Sequence, residues 1–392
     1  YLATNGAGSV DALLTAERLL VTATLGPRPG AQMKLTDQMV VDVQDRADVR
    51  GILPCFATAD RGIVGPPPRI ALADTAALFA DSLYIRLSGI VDAGGNSAIT
   101  LDSALLISSN GALVATNGSQ AVVSAGEVRL AGGAPCRGQL IMGGTAELLV
   151  TSNMTLDSGW PLRGVVGPIW KSVSDAAVSI GGNLTLLGGP DIEISSTRAV
   201  ELGGNFQNQS ISASVFDWLA GSLLLAGDGN TQQFEVAGAD AGIGPSGSVD
   251  NFAMGTIEVA STAHVTFGND VVNSVSTMAC AEALYVRTLI LRGGSVVTLD
   301  NVHVYYQNLV DEGGIIELLG CGELIFAPTG DFDVNGTLDL VDYSAFESCM
   351  AGPRSLAADG PCVVFDFDGN QHLDLADFAA FARLFADGDT LR

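Results

Sequence analysis

From Asp331 onward the chain repeats itself. Displaced by 35 positions, so that Asp331 falls on Asp366, the tail matches its own sequence at Phe332/Phe367, Asp333/Asp368, Asn335/Asn370, Leu338/Leu373, Asp339/Asp374, Leu340/Leu375, Asp342/Asp377, Ala345/Ala380 and Phe346/Phe381. Chance does not produce that density of identities, so the segment was duplicated. Half of the matched positions carry an oxygen-bearing side chain, and these recur at positions 1, 3, 5, 9 and 12 of a twelve-residue loop. That spacing wraps a hard cation needing about six to eight oxygen ligands. Asp331, Asp333, Asn335, Asp339 and Asp342 form one expected set, and Asp366, Asp368, Asn370, Asp374 and Asp377 the other. Thr337 and His372 occupy position 7, where the backbone carbonyl is the expected ligand, so the His372 ring is not expected on the metal. Two calcium ions are expected.

After each loop, Leu340, Tyr343 and Phe346, and then Leu375, Phe378 and Phe381, recur at helical spacing. Each loop should therefore lead into one helix with an apolar face. Leu338 and Leu373, at position 8, should point inward and hold the loops on a shared core. Position 12 is aspartate in both copies, where the standard EF-hand loop carries glutamate. With one helix per loop and two copies, the tail resembles the dockerin type I family, including the dockerin-like tails on exported β-solenoid proteins of planctomycetes. The resemblance implies a small all-α calcium-binding domain used for attachment or assembly with a protein partner. In dockerins of cellulosomes, polar residues at positions 10 and 11 help contact the cohesin; here these are Leu340-Val341 and Leu375-Ala376, so cohesin binding does not carry over. Position 6 is Gly336 in the first loop and Gln371 in the second. A side chain forced into the left-handed region costs about 1–2 kcal/mol, so the second site should be the weaker. Thiols add a staple: Cys349 and Cys362 flank the linker between loops, and a bridge there would be worth roughly 3 kcal/mol, although two buried free thiols also fit.

The chain ahead of the tail has a different texture. Short apolar or alternating runs such as Ala104–Ser108, Glu147–Thr151, Asn183–Leu187, Thr256–Ala260 and Thr288–Arg292 are separated by glycine, asparagine and serine turns, which predicts a long all-β region. Three runs open with a similar phrase: Gly181-Gly182-Asn183-Leu184, Gly203-Gly204-Asn205-Phe206 and Ala220-Gly221-Ser222-Leu223. Their spacing fits one coil of a right-handed parallel β-helix, a solenoid whose inward positions form continuous apolar columns. Antiparallel β-sandwiches are the competing architecture. The texture changes near Phe326, which predicts a β-solenoid domain over 1–327 and a dockerin-like domain over 328–392. The run from Glu282 to Leu309 resembles the last coils before such tails in planctomycete exported proteins.

Forty-three acids against 18 lysines and arginines leave a formal charge of -25, which repels nucleic acid and anionic lipid. No apolar run is long enough for a membrane-spanning helix. The chain starts at Tyr1, so an export signal is expected to have been removed or left out. Loops of this chemistry often bind calcium at roughly 10⁻⁴–10⁻³ M, a range that is useful outside cells, so a secreted or cell-surface location is expected. Parallel β-helices also carry polysaccharide lyases and glycoside hydrolases, whose sites need convergent acids and a base. Asp191 and Glu193 share one side of a strand near Arg198, but read as an exposed edge. Asp228, Asp240 and Asp250 read as turn residues, and His264 and His303 as isolated surface histidines. Trp160, Trp170, Trp218, Tyr305 and Tyr306 could stack on sugars if they shared a face. The expectation is a structural or adhesive protein, with an extracellular polysaccharide lyase or glycoside hydrolase as the alternative and a polysaccharide as a further partner.

Overall fold

The computed structural model describes residues 13–22, 32–35, 40–50, 68–116, 120–133, 136–159, 167–227, 229, 231–243, 247, 250–271, 280–327, 330–333, 337–350, 360–367 and 372–386. The protein is mainly β, with extensive parallel strand pairing and two short helices, and it divides into two compact units, Tyr1–Val215 and Phe216–Arg392.

In the first unit, each strand pairs in parallel with strands far from it in sequence, and the register places like residues on like. Leu78, Ile99, Val123, Leu148, Val178 and Val200 form one such row. A second runs Leu83, Leu105, Val128, Met154, Leu184 and Phe206. A third, in a separate sheet, runs Ile70, Val91, Leu113, Leu140, Trp170 and Ile192. All eighteen side chains are at most 2% exposed. Alternation turns every second residue of a strand to the same face, so each short apolar run adds one rung to a row. Burying one such side chain is worth about 1.5–3 kcal/mol.

The repeated glycine-asparagine phrase builds a corner between rungs. The Asn183 amide donates to Asn153 Oδ1 and the Asn205 amide to Asn183 Oδ1, both at 2.8 Å, across 30 and 22 residues of chain. A Cβ on Gly204 would lie 2.5 Å from the Gly182 carbonyl carbon, and one on Gly182 2.6 Å from Asn153 Oδ1. At Gly182 and Gly204 the corners stack too closely for a side chain, which explains the glycine ahead of Asn183 and of Asn205; the corner below them carries Ser152 ahead of Asn153. The third phrase does not follow this rule: Ala220-Gly221-Ser222 lies inside the strand Phe216–Leu225.

The second unit continues the pattern within itself. Leu223, Ile257 and Leu289 form a buried row, as do Phe234, Phe267 and Leu299. The latter row ends at Leu318, which is 56% exposed. The antiparallel pairing of Gly238–Ala239 with Glu282–Ala283 interrupts the parallel order. Cys280 and Cys321, with no sequence signal to join them, form a disulfide across a separation of 41 residues, worth about 4 kcal/mol of chain entropy.

After Ala327 come helices α1 (Leu340–Cys349) and α2 (Leu375–Ala386), with a 3-10 turn at Gly360–Phe365 between them. Phe346, Phe365, Leu373 and Phe381 form their core, with Leu338 packed against it. Phe346 and Phe381, equivalent in the repeat, stack at 5.1 Å, and Phe365 stands edge-on to both. The position equivalent to Phe365 is Gly330, at φ +76°, where a Cβ would lie 3.0 Å from the Phe367 and Phe381 rings. The duplication is thus broken at its centre, because the space holds one phenylalanine and not two. Cys349 and Cys362 are joined as the disulfide reading required, tying the end of α1 to the 3-10 turn.

Candidate metal centre

Both helices begin in the same way. Asp339 caps α1, accepting from the Val341 amide at 2.7 Å, while Asp342 reaches back to the Asp339 amide at 2.8 Å, closing a capping box. The other Asp342 oxygen accepts from the Phe332 amide at 2.6 Å, which pulls the start of the loop over the start of the helix. At α2 the equivalent bonds recur: Ala376 to Asp374 at 2.7 Å, Asp374 to Asp377 at 2.9 Å and Phe367 to Asp377 at 2.8 Å. Aspartate at position 12 therefore does two jobs, as the box partner of the cap and as an inward carboxylate. Asp342 and Asp377 are fully buried, and Asp331 and Asp366 are 4% and 5% exposed.

One carboxylate oxygen from each of Asp331, Asp333 and Asp342 lies within 4.8 Å of the other two. Three oxygens so spaced can all touch one ion at the 2.3–2.6 Å that calcium prefers. Each carboxylate offers about four lone-pair sites, so the two amide bonds to Asp342 leave acceptor capacity toward the loop centre. The first loop thus fits a hard cation by donor type and by spacing. Thr337 and His372 each sit in an isolated bridge position, and the His372 side chain is exposed. Asn335, Asp368 and Asn370, together with Gly336 and Gln371, lie outside the described residues. Of the second loop, Asp366, Asp374 and Asp377 are described, in the frame just given.

Arg287, half-buried in the strand Glu282–Leu291, is a neighbour that sequence reasoning missed. Burial pulls its guanidinium below the usual range, and the charges of Asp331 and Asp217 act against that pull.

Elsewhere several acids are ion-paired. Asp191 is ion-paired with Arg137, Glu193 with Lys171 and Arg198 with Glu147, so the strand carrying Asp191 and Glu193 is pinned to its neighbours by ion pairs. Trp170 and Trp218 are completely buried and unavailable to a sugar, and Trp160 and Asp228 lie outside the described residues. His264 is exposed. His303 is not isolated: its Nδ1 lies 2.7 Å from Asp240 Oδ2, and the Tyr305 hydroxyl donates to Asp240 Oδ1 at 2.9 Å. Burial raises the Asp240 carboxyl, but the Gly242 amide, His303 and Tyr305 outweigh it and hold the group below its ordinary value. Tyr285 stacks on Tyr305 at 4.6 Å, and its hydroxyl accepts from the Ala241 amide and donates to the Gly242 carbonyl. These residues fasten the 240–242 segment to the strands beneath it.

Glu235 is the other group that sequence reasoning passed over. Burial pushes its carboxyl up to about 7, with Asp270 and Glu282 adding to the rise and the Val271 and Asp270 amides opposing it. Between the ordinary 4.5 and about 7, the folded chain keeps a proton that the unfolded chain has released, so this group's contribution to stability falls as pH rises through that window. A Glu235→Gln chain should show a melting midpoint that changes less than the parent's between about pH 5 and about pH 8. Parallel pH profiles for the two proteins would contradict the assignment.

Compared with known proteins, the chain matches no family model, no curated protein and no solved structure.

Proposed function

We propose that the chain is a secreted or cell-surface structural or adhesive protein. In this reading, residues 1–327 form a right-handed parallel β-helix. Residues 328–392 form a small dockerin-like α domain that two calcium ions organise and that attaches or assembles the β region. The observation that carries the reading is the Asp331, Asp333 and Asp342 oxygen cluster, set in a hydrogen-bonded frame that the second copy repeats. The parallel registers and buried rows support the β-helix. The disulfides Cys280–Cys321 and Cys349–Cys362, and the bonded state of Cys136, fit an oxidising, extracellular setting. Leu340, Val341 and Leu375 at the helix starts are 73%, 54% and 75% exposed, which suits contact with a protein partner more than with water. The enzyme alternative finds support in the His303 and Asp240 pairing, since a carboxylate on Nδ1 leaves Nε2 as the nitrogen for proton transfer.

Calorimetry on the full chain tests the reading. Calcium should bind with measurable heat in two events, the second loop more weakly, and chelator should reduce the helical signal. On a polysaccharide panel with calcium present, the protein should release no new reducing ends or unsaturated products. No heat of calcium uptake would end the proposal, and turnover would transfer it to the enzyme.

A further inference from the structure

The strand Ile315–Leu319 uses only one of its two edges. The Ile315 amide donates to the Ser295 carbonyl at 2.8 Å, and the Leu319 carbonyl accepts from the Asn301 amide at 3.1 Å, so the odd-numbered residues turn their backbone groups toward the preceding rung. Successive residues of a strand turn those groups to opposite sides, which leaves the amides and carbonyls of Ile316 and Leu318 pointing out of the far edge. Among the described residues, this strand pairs only with Val296–Asp300. The side chains are unfinished on the same side. Val265 and Val297, in register behind Ile316, and Phe267 and Leu299, in register behind Leu318, are at most 1% exposed. Leu318 is 56% exposed, and its neighbours Ile315 and Leu319 are 55% and 50% exposed. An edge that offers free backbone donors and acceptors beside an open apolar row is completed by another strand, whereas a helix would leave the backbone groups unmet.

Charge narrows the choice of strand. Glu317 stands exposed between Ile315 and Leu319, and Asp311, Glu312 and Glu323 are exposed close to it in sequence. In the first unit an adjacent rung answers glutamate with lysine: Lys171 and Glu193 are register partners and ion-paired. Glu317 has a rung on one side, where it accepts from the Thr298 hydroxyl at 3.2 Å, so a cation would have to come from the incoming strand. A second copy of this chain is a poor source, because it would bring the same acids and its own formal charge of -25. We propose that Ile315–Leu319 is a docking edge for an extended segment of a partner protein that alternates apolar and basic residues. The segment pairs its backbone with Ile316 and Leu318, covers the Leu318 row with its apolar side chains and meets Glu317 with lysine or arginine. The edge uses no residue of the duplicated loops, so it is a contact separate from the attachment proposed for the tail.

Fluorescence anisotropy on the full chain tests this with three short labelled peptides: one alternating valine and lysine, one alternating valine and glutamate, and one alternating lysine and serine with the charge of the first. The valine–lysine peptide should bind, and each of the others should bind at least about 10-fold more weakly. Glu317→Lys, a change on an exposed side chain, should weaken the valine–lysine peptide by about 3- to 10-fold and strengthen the valine–glutamate peptide. Leu318→Pro removes an amide donor that no strand of this chain uses, so the chain should fold while binding of the valine–lysine peptide is lost. If that chain fails to fold, Glu317→Lys decides. No binding of the valine–lysine peptide, or equal binding of the lysine–serine peptide, would overturn the proposal, the latter by reducing the contact to charge alone. Dimers of the parent chain that form with rising concentration in sedimentation runs and vanish in Leu318→Pro would also overturn it, by giving the edge to a second copy.

Discussion

An Asp342→Ala chain should keep its β region and lose its tail. The Asp342 carboxylate accepts from the Phe332 and Asp339 amides and is fully buried, so its removal strands two donors where water reaches poorly. Each unsatisfied donor costs about 1–3 kcal/mol, and α1 loses half of its capping box as well. A core as small as that around Phe346, Phe365, Leu373 and Phe381 has little stability to spare. Calcium then cannot restore the fold, because the same substitution removes one of the three clustered oxygens. Asp342→Asn separates the two effects. Its carbonyl oxygen still accepts from one amide, so the tail should survive with reduced stability, while the first site loses a charged ligand and about 10- to 100-fold or more in affinity. The readings are helicity on heating and the number of calcium events by calorimetry. An Asp342→Asn chain that retains both events at the parent's affinities would refute the assignment of position 12, and an Asp342→Ala chain with an unchanged melt would refute the frame.

How much of this was legible beforehand depends on how local the determinant is. The acids at loop positions 1, 3 and 12 of the first copy, and the inward Leu338 and Leu373, lie within a dozen residues of the helix that follows each loop, so their spacing is a local property of the sequence. They could be read directly. Alternation did the same for the strands. Contacts between rungs were opaque because rungs differ in length: Asn153 and Asn183 stack across 30 residues, but Asn183 and Asn205 across 22. No fixed period therefore brings Arg137 to Asp191, 54 residues on, or His303 to Asp240, 63 residues back. The Cys280–Cys321 bridge was hidden for the same reason. The phrase at Ala220 misled because a glycine before a small polar residue can mark a corner or sit inside a strand, and only the closeness of the neighbouring backbone separates the two.

Gly204→Val should damage the first unit and spare the duplicated loops of the tail. The added Cβ would fall 2.5 Å from the Gly182 carbonyl carbon and 2.6 Å from its oxygen, both backbone atoms held by the corner bonds, so neither can swing aside. The Gly204 amide donates to the Gly182 carbonyl at 3.0 Å, and forcing the corners apart stretches that bond together with the Asn205 to Asn183 bond beside it. Overpacking of this kind typically costs about 1–3 kcal/mol, and a branched side chain at a stacked corner belongs at the upper end. Gly268→Ala is the matched control, because a Cβ there meets nothing within 4 Å. Denaturant unfolding should show a loss in Gly204→Val and near-parent behaviour in Gly268→Ala. The reach of the damage is the sharper observable. If each rung is stabilised by its nearest neighbours, as the solenoid reading holds, the cost stays near residues 181–206 and calcium uptake by the tail is unchanged. Loss of calcium binding in Gly204→Val would mean that the chain folds as one cooperative body, and the nearest-neighbour description would have to be abandoned.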